Sequence, residues 1–241
     1  MSAKEAPAPQ SRSRRRLVLF THSAQISGAE SAFTRFIQSL EAAEWEVLVL
    51  TARPGPMLSQ WEESGLWAEV CEQPWIIQPL SYPEEMAEAT QRCRAWLERF
   101  QPGLVVSNTT VLYAGAKAAV ELDLPLVVWT HGVMSTALWP SLDLEAYRKY
   151  ERALADMANM LVGPSEWTAR HLSSLAPDRP CRVVPNGVVL PTEWQPLPEH
   201  PKEMQFVMLC RLEPNKNVEA VIEAVAEVRR RRPDLPVRLV H

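Results

Sequence analysis

The chain has 241 residues, is 46% hydrophobic, and carries a formal net charge of -4 with a sequence pI near 5.8. That length holds one large domain or one and a half ordinary ones, and the apolar content is that of a folded globular protein. No apolar run reaches the roughly 18 residues that cross a bilayer, and an acidic chain without a basic stripe lacks the footprint of a nucleic-acid binder.

Residues 1–16 have no apolar stretch of the kind a secretory leader needs. Their Ala, Pro, Ser and Arg content predicts a disordered basic tail. Arg14, Arg15 and Arg16 either lead into the first strand or touch acidic lipid or nucleic acid. Leu17, Val18, Leu19 and Phe20 then form a continuous apolar run, as in a strand covered on both faces. Ala29, Ala32, Phe33, Phe36, Ile37 and Leu40 recur at helical spacing and mark one face of an amphipathic helix. With a second strand over 46–51, the chain opens as the β-α-β unit of a parallel sheet.

The alternation continues through a helix over 57–64, a weak strand over 68–71, and a helix over 82–100 with Met86, Ala89, Cys93, Trp96 and Leu97 inward. Strands follow at 104–107, 126–129, 160–163 and 182–184, separated by helices at 111–122, 144–157 and 167–175. These seven strands predict a doubly wound parallel sheet over 17–189. Residues 190–203 hold four prolines between Pro191 and Pro201 and read as a Pro-rich linker. The pattern restarts over 204–241 with a strand at 205–210, a helix presenting Val218, Val221, Ile222 and Val225 on one face, and a strand at 237–240. That is one β-α-β unit of a second Rossmann-like domain. A single unit cannot cover both faces of its own sheet. It must lean on the first domain, pair with a second chain, or open a domain whose remainder is absent, and the last is the expectation here.

Cys71, Cys93, Cys181 and Cys210 show no metal-type spacing and are expected as reduced thiols, with Cys93 in a helix and Cys210 in a strand as packing residues. Tryptophans such as Trp61, Trp129 and Trp167 are each expected to pack in the core.

Ligands of an open parallel sheet bind beyond the carboxyl ends of its strands. The polar residues collect there: His22, Gly28, Ala29 and Glu30 after the first strand, Asn108 after the fourth, and His131 with Gly132 after the fifth. Glu166 follows the sixth and Asn186 with Gly187 the seventh. Arg211 and Lys216 lie between the first strand of the second unit and a helix N-terminus, where free N–H groups suit an anion. By themselves these two are either solvated surface cations or a diphosphate grip.

Taken in order, Ile26-Ser27-Gly28-Ala29-Glu30, Thr130-His131-Gly132, Val184-Pro185-Asn186-Gly187-Val188 and Arg211-x4-Lys216 resemble the motifs of retaining glycosyltransferases of family 4. The resemblance implies a GT-B fold and transfer of a sugar from a UDP- or GDP-linked donor to a glycan, lipid-linked or small-molecule acceptor. It implies that Arg211 and Lys216 neutralise the donor diphosphate, that Gly28 and Ala29 let backbone approach it, and that His131, counted with Arg211 and Lys216 as catalytic, holds a sugar hydroxyl. Glu30 would orient its loop or cap its helix, and Asn108, Glu166 and Asn186 would line the acceptor cleft together with Glu30 and His131. No cofactor and no metal are implied, in keeping with the lack of an Asp-x-Asp stretch. The loops at 79–82 and 134–140 would contact acceptor or a membrane surface, and the implied place is cytoplasmic, with peripheral contact at the inner membrane face. The family's Glu-x7-Glu segment falls beyond residue 241, so the 241 residues alone are expected to bind donor weakly and turn over negligibly. The competing expectation is a non-catalytic half-transferase that binds acceptor or a partner subunit.

Overall fold

The computed structural model describes residues 14–42, 44–75, 83–136, 142–188, 190, 192–193, 203–210, 212 and 216–240. The tail over 1–13, most of the linker expected over 190–203, the loop at 79–82, residues 137–140, Trp139, Trp194 and Arg211 lie outside these residues. The chain divides into two compact units between Gly187 and Val188.

In the first unit seven parallel strands form one sheet: β1 (Arg15–Thr21), β2 (Trp45–Thr51), β3 (Trp67–Val70), β4 (Leu104–Ser107), β5 (Leu126–Trp129), β6 (Met160–Gly163) and β7 (Cys181–Val183). Their order is β3-β2-β1-β4-β5-β6-β7. The connections step outward from β1 in one direction and from β4 in the other, so the crevice between them is the topological switch point. β1 and β4 pair in register from Leu17 opposite Leu104 to Phe20 opposite Ser107.

The period-2 alternation of these strands feeds two cores. Val18, Phe20, Leu48, Leu50 and Val105 point to the face covered by residues of α3 (Pro83–Phe100), α4 (Ala114–Glu121), α5 (Leu144–Met157) and α6 (Glu166–Leu175). Leu17, Leu19, Val49 and Val106 point to the other, under α1 (Gly28–Gln38) and α2 (Met57–Glu63). Each such fully buried Leu or Phe contributes about 1.5–3 kcal/mol. Among the described residues two helices begin on side-chain caps: Asp143 accepts from the Ala146 N–H and Ser165 from the Thr168 N–H.

Two elements depart from expectation for identifiable reasons. The helix expected over 111–122 starts only at Ala114. Ahead of it, Ser107 Oγ donates to the Thr109 carbonyl, Thr109 Oγ1 accepts from the Val111 N–H, and Leu112 bridges to Trp75. Short hydroxyl side chains thus take the backbone out of the helix. Once under way, α4 lies close on the sheet: a Cβ at Gly115 would sit 2.8 Å from the Phe20 ring. Trp167, expected in the core, is 61% exposed at the start of α6, because it lies off the stripe of Thr168, Ala169, Leu172 and Leu175 that the helix buries.

In the second unit β8 (Met204–Val207) pairs in parallel with β9 (Val237–Val240) across α7 (Val218–Arg231). β8 runs to Val207, not to 210, and the Met208 N–H makes the next bond, to the Val240 carbonyl. Cys210 therefore lies past the strand. The apolar face read along α7 finds little to cover it: none of its residues is buried, and Ile222 is 52% exposed.

Candidate functional site

The ladder continues one step beyond the strands at the carboxyl edge. Asn108 N–H donates to the Phe20 carbonyl and Thr130 N–H to the Val162 carbonyl. These bonds carry Asn108, Thr130 and His131 to the rim next to the loop that follows β1. Thr130 Oγ1 then closes a turn onto the Gly132 carbonyl.

Two sequence-predicted residues meet directly. His131 Nε2 lies 2.8 Å from Asn108 Oδ1, and Asn108 Nδ2 makes a long 3.4 Å bond to the Ala29 carbonyl. The Ala29 carbonyl can only accept, so it fixes the Asn108 amide, whose Oδ1 in turn requires a proton on His131 Nε2. His131 Nδ1 is then the bare acceptor, and it is buried without a partner. Burial pulls the imidazole pKa down to about 4, with the negative Glu30 opposing and His22 adding to the fall. At neutral pH His131 is an uncharged acceptor.

Glu30 is fully buried, under the β1–α1 loop and not on a cleft wall. Its Oε1 accepts from Thr21 Oγ1 at 3.0 Å, and its other oxygen accepts from Ser27 Oγ. His22 Nδ1 lies 2.9 Å from Oε1. Burial raises the Glu30 pKa, yet the contact with His22 and the Ser27 hydroxyl together outweigh it and leave the carboxyl below its ordinary value. Ser27-x-x-Glu30 has the spacing of a capping box. Ser27 makes no side-chain cap bond, however, so of the two roles expected for Glu30 the geometry carries loop orientation.

The loop after β2 buttresses this one. Ala24 exchanges backbone bonds with Arg53 and Met57, and a Cβ at Gly55 would collide with the Ala24 carbonyl. Only glycine allows that approach. Trp75 Nε1 donates to the His22 carbonyl, and Arg53 lies 4.0 Å over the Trp75 ring.

The remaining candidates stand apart from this network. Gly28 is exposed with open space at its Cβ position. Glu166 is exposed as the first residue of α6, and Asn186 is exposed beside Gly187, whose carbonyl accepts from Arg35. Lys216 is exposed just ahead of Asn217, which caps α7 in the left-handed region at φ 51°. Arg211 lies outside the described residues.

One polar cluster escaped the sequence reading. Glu151, 1% exposed, accepts from the Tyr147 hydroxyl and from Arg148, and His171 Nε2 lies 3.2 Å away. Tyr147 bonds Thr110 at 2.9 Å, and Arg148 donates to the Met134 carbonyl at 3.2 Å. Burial raises the Tyr147 pKa, and the negative Glu151 raises it further. The cluster ties α5 and α6 to the loops that carry Asn108 and His131. The signal was available: Glu151 falls on the apolar stripe of α5, four residues after Tyr147 and three before Leu154.

The sequence model of Glycosyltransferase Family 4 matches residues 26–190. The chain belongs to glycosyltransferase family 4. Solved structures extend the likeness to the GT-B fold. Anabaena Alr3699/HepE, solved with UDP and glucose, superposes with a TM-score of 0.65 at 17% identity, over 94% of this chain and 61% of that one. Sucrose-phosphate synthase from Thermosynechococcus elongatus gives 0.62 at 16% identity, over 94% of this chain and 61% of its own. Staphylococcus aureus MnaA, solved with UDP, gives 0.56 at 15%, over 93% and 61%. The chain thus spans about three-fifths of the length of these structures. No curated protein matches this family 4 chain by sequence. Among its described residues no group of three His, Cys, Asp or Glu side chains could hold a metal, and no helix is long and apolar enough to cross a membrane.

Proposed function

We propose that this family 4 chain contributes to a retaining transfer of a hexosyl group from a UDP- or GDP-sugar to a glycan, lipid-linked or small-molecule acceptor. The observation that supports it most is the arrangement of His131, Asn108 and Ala29 at the switch point: a neutral imidazole with an open Nδ1, held beside the first turn of α1.

In this reading Nδ1 of His131 accepts a proton-bearing sugar hydroxyl, and the amides of Gly28 and Ala29 offer the α1 N-terminus to an anionic donor. Arg211 and Lys216 neutralise the leaving diphosphate, the moment at which fixed cations lower the barrier most. Glu166 and Asn186 take the acceptor side. No side-chain nucleophile and no metal are assigned. That HepE has been solved with UDP-glucose makes UDP-hexoses the first donors to try. Acceptor delivery at a membrane face belongs to the same proposal.

Two charge-assisted hydrogen bonds of about 1.5–3 kcal/mol each hold a ligand only in the millimolar range. Calorimetric titration of the 241-residue chain with UDP- and GDP-hexoses tests this. Millimolar binding, weakened by Arg211→Ala or Lys216→Ala, is expected. No binding of either donor class overturns the donor assignment, and micromolar binding overturns the claim that the cation pair is its main support.

A further inference from the structure

Two thiols stand idle in the transferase reading. Cys71, one residue past β3, and Cys93, in the middle of α3, bring their sulfurs to 3.7 Å and share a hydrogen bond. Their surroundings differ. Cys93 is wholly enclosed, whereas Cys71, although 3% exposed, lines a surface cavity of about 670 Å³ together with Glu72, Arg92, Trp96 and Arg99. Cys93 is not among the residues that line it, so a small solute entering the cavity reaches Cys71 first. Arg92 is held at the rim by its bond to the Glu72 carbonyl.

We propose that Cys71 and Cys93 form a peroxide-sensitive dithiol, in which Cys71 is the reacting sulfur, Cys93 the resolving sulfur, and the product a disulfide that ties β3 to α3. The electrostatics agree with the geometry. The hydrogen bond from Cys93 and the charge of Arg92 bring the Cys71 thiol below its ordinary pKa despite burial, whereas the same hydrogen bond and burial push Cys93 well above. A thiolate at Cys71 is the nucleophile and Cys93 keeps its proton.

Cys71 thiolate attacks one oxygen of the peroxide, the O–O bond breaks, and the other oxygen leaves as hydroxide, taking up the proton that Cys71 released. The sulfur of Cys93 then displaces hydroxide from the Cys71 sulfenic acid, and its own proton completes the second water. Two thiols and one peroxide become one disulfide and two waters, with two electrons passing from sulfur to oxygen. The link would close at the root of the strap 71–75. Gln73 of that strap accepts from the Gly115 N–H, and Trp75 packs on His22.

The test uses the chain with Cys181→Ser and Cys210→Ser, so that only this pair remains. Hydrogen peroxide on the native protein should remove both thiols together, lower the intact mass by two hydrogens, and yield one proteolytic peptide joining residues 71 and 93. The rate should be independent of protein concentration, and dithiothreitol should reverse the change. With Cys93→Ser added, Cys71 should instead gain a single oxygen that a sulfenic-acid probe captures. Thiols that survive peroxide in the native state and react only in denaturant would overturn the proposal, as would first oxidation at Cys93. If the doubly substituted background does not fold, the same peptide map on the unsubstituted chain decides, since a 71–93 link is distinct from any involving Cys181 or Cys210.

Discussion

His131 is held in a state that resists protonation, and this has a measurable price in acid. Unfolded, it takes up a proton near its ordinary 6.5; folded, it waits until about 4. Between those values the unfolded state binds more protons, so stability falls as pH drops through the window, by up to about 3 kcal/mol, and is untouched above it. His131→Asn removes the titration. Thermal midpoints taken from pH 7.5 to 4 should therefore fall less steeply in the variant than in the parent, and parallel curves would show that His131 is not buried neutral. Glu30 works at lower pH and with the opposite charge. Its folded pKa lies below its ordinary value of 4.5, so its stabilisation is present above that value and is lost as pH falls through the folded one. Glu30→Gln should destabilise by about 1–3 kcal/mol at pH 7, the usual cost of leaving buried donors unmatched. Urea midpoints at pH 7 and pH 3 check it: the gap between parent and variant should narrow in acid. The stripe of Phe33 and Ile37 was legible in the sequence, but Glu30, three residues before Phe33 on it, was assigned to the acceptor cleft because a carboxylate past a strand end has the chemistry of a ligand group. The pairing of Asn108 with His131 was not legible, because it depends on the register of two adjacent strands that no local pattern encodes.

Among the elements, α4 is placed by one missing side chain. Its Gly115 lets the helix settle against Phe20, and a Cβ there would come within 2.8–2.9 Å of three ring atoms. Phe20 is fully buried in β1. Gly115→Ala gains about 1 kcal/mol in helix propensity and meets an overpacking cost of about 1–3 kcal/mol. The variant should be less stable in a urea titration, and a more stable variant would mean that α4 can slide. The contrast with other elements explains what the sequence carried. The strands at 104–107, 126–129 and 160–163 and the helix at 144–157 lie where their apolar patterns put them, because a single effect, burial, sets both ends. The start of α4 was misread because hydroxyl side chains around 107–110 compete for the backbone, a local effect that an apolar count does not weigh. The Glu151 cluster was missed for the converse reason: a charge on an apolar stripe looks like an interruption until its partners from α6 and the 134 loop are seen.

At the level of the whole molecule the two units differ in how much each has buried, and that difference sets where the chain opens first. β1, β4 and β5 contain residues such as Val18, Leu19, Phe20, Val105 and Val128 with no exposed surface. In the second unit α7 buries nothing, every residue of β8 is exposed, and Val237 of β9 is the buried exception among the described residues. The ion pairs that Glu227 makes with Arg230 and Arg231 are open to solvent and screened, so they add little. Amide protection follows the buried apolar contacts that must be broken to expose a segment. In hydrogen exchange on dilute protein, amides of 204–207, 218–231 and 237–240 should therefore exchange long before those of β1, β4 and β5, under conditions where the first unit stays folded. Equal protection of both units would overturn this ordering. Protection of the second unit that appeared only at high protein concentration would point to a second copy covering β8 and α7, and dilution would remove it.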